Sequence, residues 1–223
     1  MNTFSKATLF ATAIALSFSA CKKGEDDPFL SLRSRDAKIT NTWNLTNIDG
    51  KTTSVNKQPQ ITVDPITFQT INTIKTTTTV ETTTFSGSTK TVSSTATVND
   101  NGTITTGTPE STNYTYSQTL EIKKGGEYTI SETSTQNFST TPSDPNNGVT
   151  ETSKNTGQWN WADDNKAKSI LVLDGDNYDI TKLSKKELVL TQNYSYDNSS
   201  TKNAQTQGSY SSNGSTTYTY EAK

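Results

Sequence analysis

The sequence predicts an all-β protein: an antiparallel up-and-down meander closed into a barrel of about eight strands, with long Thr-rich hairpins. Two observations predict strands. Thr occurs 45 times and Ser 26 times in 223 residues, and β-branched Thr favours extended backbone. Apolar and polar residues alternate along most of the chain, with turn residues between the alternating runs. A third observation excludes a helical bundle, because no segment keeps a 3.6-residue apolar period over three turns.

Composition and charge exclude several function classes. The 20 Lys and Arg against 22 Asp and Glu leave a net charge of -2, which does not suit a protein that binds nucleic acid through phosphate contacts. The chain has no His, so it lacks the commonest general base and metal ligand. Its one Cys allows neither an intrachain disulfide nor a zinc cluster. We therefore expect no enzyme, no catalytic residues, no cofactor, no metal and no nucleic-acid partner.

The first 20 residues predict a secretory signal peptide. Lys6 supplies a positive start, and the apolar run over 9–18 is too short to span a bilayer. Small residues then precede Cys21, an ending that resembles a bacterial lipobox, although Phe18 departs from the usual Leu. The resemblance implies that Cys21 carries acyl chains such as palmitate, which anchor the chain to a membrane. The alternative is an ordinary signal peptide followed by a chance free Cys.

Residues 21–38 are charged, contain Pro28 and show little periodicity, which predicts a flexible tether. Within it, Glu25-Asp26-Asp27 resembles the acidic surface-export signal of Bacteroidota lipoproteins. That resemblance implies an outer-membrane lipoprotein of the bacterial cell envelope, displayed on the cell surface. Without it, the segment is only a tether and the chain could face the periplasm.

Strand and turn signals alternate through the predicted domain at 39–223. Asn-Gly and Asp-Gly are the strongest hairpin dipeptides, and here each follows an alternating run. In the first half the signals are an opening strand with Trp43, Leu45 and Ile48; Ile66, Phe68, Ile74 and Val80 on one face; the turn Ser86-Gly87-Ser88; Val92, Ala96 and Val98 on one face; and the turn Asn99-Asp100-Asn101-Gly102.

The second half continues as further hairpins. Its signals are Tyr114, Tyr116, Leu120 and Ile122; the turn Lys124-Gly125-Gly126; Tyr128 and Ile130; a loop with Pro142, Pro145 and Asn147-Gly148; Trp159 and Trp161; a break at Asp163-Asp164-Asn165; the strand 170–173; Asp174-Gly175; the strand 178–180; Leu188, Leu190, Tyr194 and Tyr196; and Asn213-Gly214 before Tyr218 and Tyr220. Sequential hairpins predict an antiparallel meander.

Some runs are too long for a small barrel. At about 3.4 Å per residue, residues 66–84 would reach roughly 60 Å. Either the strand breaks near Ile71 or the hairpin protrudes beyond the barrel, and we favour protrusion because apolar residues become scarce toward its end. On that interpretation, deleting residues 76–98 would leave the barrel folded.

Two stretches resemble the lipocalin-like domains of Bacteroidota lipoproteins. They are the opening strand 42–50, and the later run in which Gly157-Gln158-Trp159-Asn160-Trp161 precedes the strands 169–173 and 178–190. The resemblance implies an eight-stranded up-and-down barrel with an internal cavity and no assigned ligand. Asn41 stands where classical lipocalins have Gly, and the only Arg residues are Arg33 and Arg35, so retinoid or haem-type binding is not implied.

Candidate binding residues are aromatic. Trp43, Tyr128, Trp159 and Trp161 fall on apolar strand faces, so they either fill the core or line a cavity for a small apolar ligand. The Tyr residues of the hairpins lie among Ser, Thr and Asn, where they form cross-strand pairs or a face for glycan or protein. The carboxylates of 174–179 are interpreted as a hairpin turn rather than a calcium site, because the EF-hand spacing is absent.

Two functions therefore stay open. The first is a lipid-anchored, non-catalytic envelope protein that binds a small, partly apolar ligand inside a β-barrel. The second is a structural or adhesive surface lipoprotein that contacts glycan or protein through its extended Thr- and Tyr-rich hairpins.

Overall fold

The computed structural model describes residues 34–137, 148–162, 167–198 and 208–223. Cys21, the signal peptide at 1–20 and the tether up to residue 33 lie outside the described residues. The loop residues Pro142 and Pro145 and the predicted break at 163–165 lie outside them as well.

One short helix and eleven strands make up the described chain. The helix α1 spans Arg35–Ile39, and the strands are β1 Thr42–Val63, β2 Thr70–Ser86, β3 Thr89–Asp100, β4 Thr103–Thr106, β5 Glu110–Ile122, β6 Glu127–Asn137, β7 Thr150–Trp161, β8 Ile170–Leu173, β9 Asp176–Leu183, β10 Glu187–Asp197 and β11 Ser209–Ala222. Within the described ranges, no helix has the length and apolar character needed to cross a bilayer.

The strands form a single antiparallel sheet that closes on itself. Consecutive strands pair from β5 to β11, and β11 returns to pair with β1 from Trp43 to Lys57. The start of β1 also pairs with the end of β5, with Trp43 opposite Leu120. The hydrogen bonds therefore complete a barrel-like ring from β1 and β5–β11, which confirms the predicted all-β meander.

Along part of the ring, the long hairpin β2–β3 lies between β1 and β5 and pairs with both. From Asp49 onward β1 pairs with β2, and the start of β3 pairs with β5. The β2–β3 turn thus lies in the wall of the ring, where Tyr116 N donates to Ser88 O over 2.8 Å and Phe85 is buried. The end that protrudes is the opposite one, the β1–β2 turn at 64–69.

This arrangement corrects three expectations. The segment 76–98 is part of the wall rather than a separable projection, because its turn carries a core residue. Ile66 and Phe68 belong to the β1–β2 turn, and β2 begins only at Thr70. Asn213-Gly214 lies inside β11 instead of forming a turn, because β11 pairs with both β1 and β10 through these residues. Glycine is needed at 214 since an added Cβ would overlap the Lys51 carbonyl and the Tyr194 ring.

Two of the predicted hairpin dipeptides form the expected turns. Asn101 and Gly102 have φ angles of 49° and 87°, and Asp174 and Gly175 have 49° and 96°. Two consecutive positive φ angles define the type I′ turn, whose twist matches that of the flanking strands. These turns fix the β3–β4 and β8–β9 registers.

The core fills one end of the ring, here called the base. Its fully buried side chains come from α1 and from the inner faces of the strands; they are Ile39, Trp43, Leu120, Ile122, Leu171, Leu183, Leu188 and Leu190. The base is therefore packed with side chains, as expected for the interior of a small ring.

The helix α1 covers the base. It begins at Arg35, before the predicted domain start at 39, and Ser34 caps it by accepting from Ala37 N over 3.2 Å. Ile39 is fully buried, and its carbonyl accepts from Trp43 Nε1 over 2.9 Å. Asp36 accepts from Trp161 Nε1 over 2.6 Å and from Lys168 Nζ over 2.5 Å. These bonds close the end of the ring where the N-terminal segment arrives.

Candidate functional site

Above the packed base, the inner face of the ring changes from aliphatic to aromatic and polar. Five Tyr residues form this band, here called the tyrosine layer; they are Tyr116, Tyr128, Tyr178, Tyr218 and Tyr220. The rings of Tyr218 and Tyr220 stack with centroids 6.5 Å apart, and Tyr116 meets Phe85 edge-on at 6.1 Å. The polar tips of these rings carry hydrogen-bonding capacity into the interior.

A chain of hydrogen bonds crosses the tyrosine layer. Tyr220 Oη donates to Gln118 Oε1 over 2.6 Å, and Gln118 Nε2 donates to Glu132 Oε1 over 2.5 Å. Tyr116 Oη donates to the same oxygen over 2.8 Å. Because Gln118 is buried, these partners avoid the cost of leaving its amide unpaired. The network ends on the half-buried carboxylate of Glu132.

Burial holds the tyrosine hydroxyls in their neutral form. Removal from water raises the pKa of Tyr220 well above its usual value and that of Tyr218 in the same direction. Burial, then the hydrogen bond to Glu132, raises the pKa of Tyr116. Burial also raises the pKa values of Tyr128 and Tyr178 to about 12, with further contributions from nearby Asp174 and Asp176. Near neutral pH these groups therefore act as hydrogen-bond donors.

A cleft of about 580 Å³ opens in the wall beside this layer. It forms because β7 pairs with β8 only over Trp159–Trp161, while its outer part, 150–157, pairs with β6 alone among the described strands. The short β8–β9 hairpin leaves this edge uncovered. The cleft is lined by Tyr128, Ile130, Lys154, Asn155, Thr156, Leu173, Asp174, Asp176 and Tyr178.

Asp174 accepts hydrogen bonds from two of the strands beside the cleft. Its carboxylate accepts from Tyr128 Oη over 3.0 Å and from Gln158 N over 2.8 Å. Gly157 makes this position available, because an added Cβ there would overlap the carboxylate. A turn residue of β8–β9 is thereby bound to both β6 and β7, and these bonds position one wall of the cleft.

The four aromatic residues singled out from the sequence do not all line a cavity. Trp43 is fully buried and Trp159 nearly so, and Trp161 packs against the core with its ring edge-on to Trp159 at 5.9 Å. The indole N–H of Trp159 donates to Lys123 O over 2.8 Å, and those of the other two are bound to α1. Of the four, only Tyr128 reaches the cleft.

The carboxylates of 174–179 lie in two elements, because Asp174 is in the β8–β9 turn whereas Asp176 and Asp179 are in β9. Asp174 is committed to Tyr128 and Gln158, and Asp179 accepts from Asn193 Nδ2 over 3.1 Å. Across the ranges that the structure describes, no group of three or more His, Cys, Asp or Glu side chains is placed to hold a metal ion.

Sequence reasoning missed Gln118, Glu132 and Gly157. Gln118 shares its strand face with Tyr116 and Leu120, and Glu132 shares its face with Tyr128 and Ile130. That alternation could have placed both polar side chains inside the ring. Gly157 is part of the stretch that resembles lipocalin-like domains, but its contact with Asp174, 17 residues later, has no signal in the sequence.

The fold and the cleft define an all-β, barrel-like protein with one end packed and a cleft in its wall. No family model matches the chain, and no curated protein matches its sequence. Among solved structures, the chain is similar to the InvG secretin domain β-barrel from the Salmonella SPI-1 injectisome NC-base, at 9% identity and a TM-score of 0.18. The match covers 81% of this chain and 60% of that one, so the chain spans less than two thirds of its length. A TM-score this low supports no argument about this chain.

Proposed function

We propose that this chain is a lipid-anchored, non-catalytic envelope protein that binds a small, partly apolar ligand. The observation that carries the proposal is the cleft between β7 and the β8–β9 turn, whose volume suits a small molecule. The site differs from the internal cavity expected from the sequence, because side chains fill the base of the ring.

The lining of the cleft defines the chemistry of the ligand. Tyr128, Ile130, Leu173 and Tyr178 supply the apolar and aromatic part of the lining, and polar groups supply most of its exposed surface. Asp174 and Asp176 offer carboxylate acceptors, while Lys154 offers a cationic donor on the opposite strand. A ligand with one apolar face and several hydroxyl or amino groups would satisfy both walls.

The side chains beside the cleft are the reason that we propose binding and not catalysis. General acid–base catalysis near neutral pH works best with groups whose pKa lies near 7. The chain has no His, and the tyrosines beside the cleft have pKa values of about 12. These side chains suit recognition better than proton transfer.

The membrane anchor and the location rest on the sequence. The lipobox-like ending at Cys21 supports an acyl anchor, and the acidic run at 25–27 supports surface display on the outer membrane. The resemblance to lipocalin-like lipoproteins supports a binding role. Where β1 pairs directly with β5, the ring has the eight strands that this resemblance implies, and beyond that point the β2–β3 hairpin adds two more.

Native mass spectrometry of the protein purified from its own host tests the binding proposal. We expect an excess of a few hundred daltons, beyond any lipid on Cys21, that is lost on denaturation. Gly157→Ala should abolish this excess, because the new Cβ displaces the Asp174 carboxylate. Gly125→Ala is the matched control, since its Cβ would enter open space, and it should keep the excess. Wild-type protein without any such excess would overturn the proposal.

A second candidate function is contact with glycan or protein through the long hairpins. It is favoured by the length of β1, whose 22 residues extend about 70 Å at the rise of an antiparallel strand. Hydroxyl-bearing Thr side chains and the aromatic pair Tyr196 and Tyr210, with ring centroids 6.0 Å apart, lie on these hairpins.

A further inference from the structure

The protruding β1–β2 end carries a concentration of exposed apolar side chains. We call residues 61–74 the distal tip. Ile66 is 85% exposed and Phe68 is 80% exposed; the other large apolar side chains exposed there are Ile61, Val63, Ile71 and Ile74. Exposed apolar clusters of this kind mark contact sites with proteins or membranes.

The distal tip projects away from the rest of the ring. β11 accompanies β1 only as far as Lys57, whereas β2 continues beside β1 to the pair Val63 and Thr70. In the described part of the chain, the last residues of β1 thus have one strand partner. Of the described residues, those of the distal tip would be the first to contact a flat surface that approached this end of the protein.

The apolar side chains of the distal tip point in several directions. Ile74 lies opposite Pro59 in the ladder and shares its face with Ile61 and Val63. Ile71 lies opposite Thr62 and therefore points to the other face. Ile66 and Phe68 project from the turn between the strands. A protein partner would cover one face, whereas a bilayer surrounds an inserted tip on all sides.

The backbone of the turn suits an environment without water. Asp64 N donates to Gln69 O over 3.0 Å, and Phe68 N donates to Asp64 O over 2.8 Å. Ile66 N and Thr67 N both donate to Asp64 Oδ1, over 2.7 and 3.0 Å, and Pro65 has no N–H. Every backbone N–H of 64–68 is thus satisfied within the turn, so the turn itself can enter the headgroup region of a bilayer without leaving a donor unpaired.

We propose that the distal tip inserts into the interface of a lipid bilayer. The depth is shallow, because the two donors at Asp64 lower the pKa of its carboxyl, so that a charge remains at the turn and belongs among headgroups. Lys57 and Lys75 lie closer to the ring than the apolar residues of the distal tip, and Lys75 is opposite Asp100. This near balance of charge favours zwitterionic lipid. The proposal is independent of the cleft and its ligand.

A fluorescent label at the tip tests insertion. In the full chain carrying Cys21→Ser, Phe68→Cys gives a single thiol for an environment-sensitive NBD label, and Thr152→Cys places the same label on exposed β7 as a control. On addition of phosphatidylcholine vesicles, we expect a blue shift and a rise in emission at position 68 only. Quenchers attached to the lipid chains should reduce this emission. Because both proteins share one N-terminus, membrane attachment elsewhere cannot produce the difference.

A second substitution measures the apolar contribution. Ile66→Ser in the chain labelled at 68 should lower the equilibrium constant for insertion about tenfold or more, the effect of withholding one large apolar side chain from lipid. Val149→Ser, also at an exposed apolar residue, should leave it unchanged. Equal emission at 68 and 152 with vesicles would overturn the proposal. So would a blue shift at 68 without lipid that depends on protein concentration, since that result assigns the tip to a second copy of the chain.

Discussion

Ile122→Ala should lower the free energy of unfolding by about 2–5 kcal/mol, the range for truncating a buried aliphatic side chain. Ile122 is 1% exposed, and its N–H donates to Asn41 O over 2.8 Å where β1 and β5 close the ring. The substitution leaves this backbone bond in place and removes only packing. The loss therefore measures how tightly the base is filled.

Urea unfolding followed by far-ultraviolet circular dichroism gives the value, with Ile61→Ala as the matched control. Ile61 is the same residue type in the same fold but is 73% exposed, so its truncation should change the free energy of unfolding by at most about 0.5 kcal/mol. Equal losses at the two positions would mean that the base is not the packed core.

Alkaline pH should destabilise the protein strongly because of the tyrosine layer. The pKa values of Tyr116 and Tyr220 are raised on folding, so the folded state binds their protons more tightly than the unfolded state. Their stabilising contribution is complete below the unfolded pKa of about 10 and is lost as pH rises toward the folded values. Each contributes a slope of about 1.4 kcal/mol per pH unit, so the two together remove about 3 kcal/mol by pH 11.

Urea midpoints between pH 8 and pH 11 measure this slope. The double variant Tyr116→Phe and Tyr220→Phe should be less stable at every pH, because the Gln118 carbonyl loses its donor. Its slope should be shallower than that of the wild type by the contribution of these two residues, while Tyr128, Tyr178 and Tyr218 keep theirs. Tyr196→Phe, at a residue that is 56% exposed, should keep the wild-type slope. A double variant with the wild-type slope would show that the layer is already ionised or hydrated in the folded protein.

The strands and the core could be predicted because they depend on residues that are close together in the sequence. Alternation over a few residues placed Leu120 and Ile122 on one inner face, and Asp-Gly required positive φ angles that only a hairpin turn accommodates well. The opening strand with Trp43 was likewise correct, since the burial of a Trp amid alternating residues needs no knowledge of distant partners.

The direction of the long hairpin could not be predicted in the same way. Whether the β2–β3 turn or the β1–β2 turn protrudes depends on where β3 meets β5, which is a pairing between distant segments. The alternation is identical for both arrangements. The only local evidence was the apolar content near the two turns. Phe85 is isolated before the β2–β3 turn, and the scarcity of apolar residues there was interpreted as a sign that this turn protrudes, whereas it lies in the wall.

The cleft could not be predicted because it arises from unequal strand lengths. β8 has four residues and β7 has twelve, so the wall opens where β8 ends. The short strand was visible in the sequence, but its position against Trp159–Trp161 rather than against 150–157 was not. The carboxylate of Asp174 then bonds across to Tyr128, a pairing that no spacing along the chain indicates.

Hydrogen–deuterium exchange tests the location of the ligand most directly. Protein purified from the native host is compared with the same protein after denaturation, removal of small molecules and refolding. We expect slower exchange in the host-purified protein at residues 150–157 and 174–178, which border the cleft, and no change at residues 120–122 in the packed base. Protection at 120–122 would place the ligand inside the ring, and identical exchange throughout would leave the cleft empty; either result contradicts a ligand bound in the cleft.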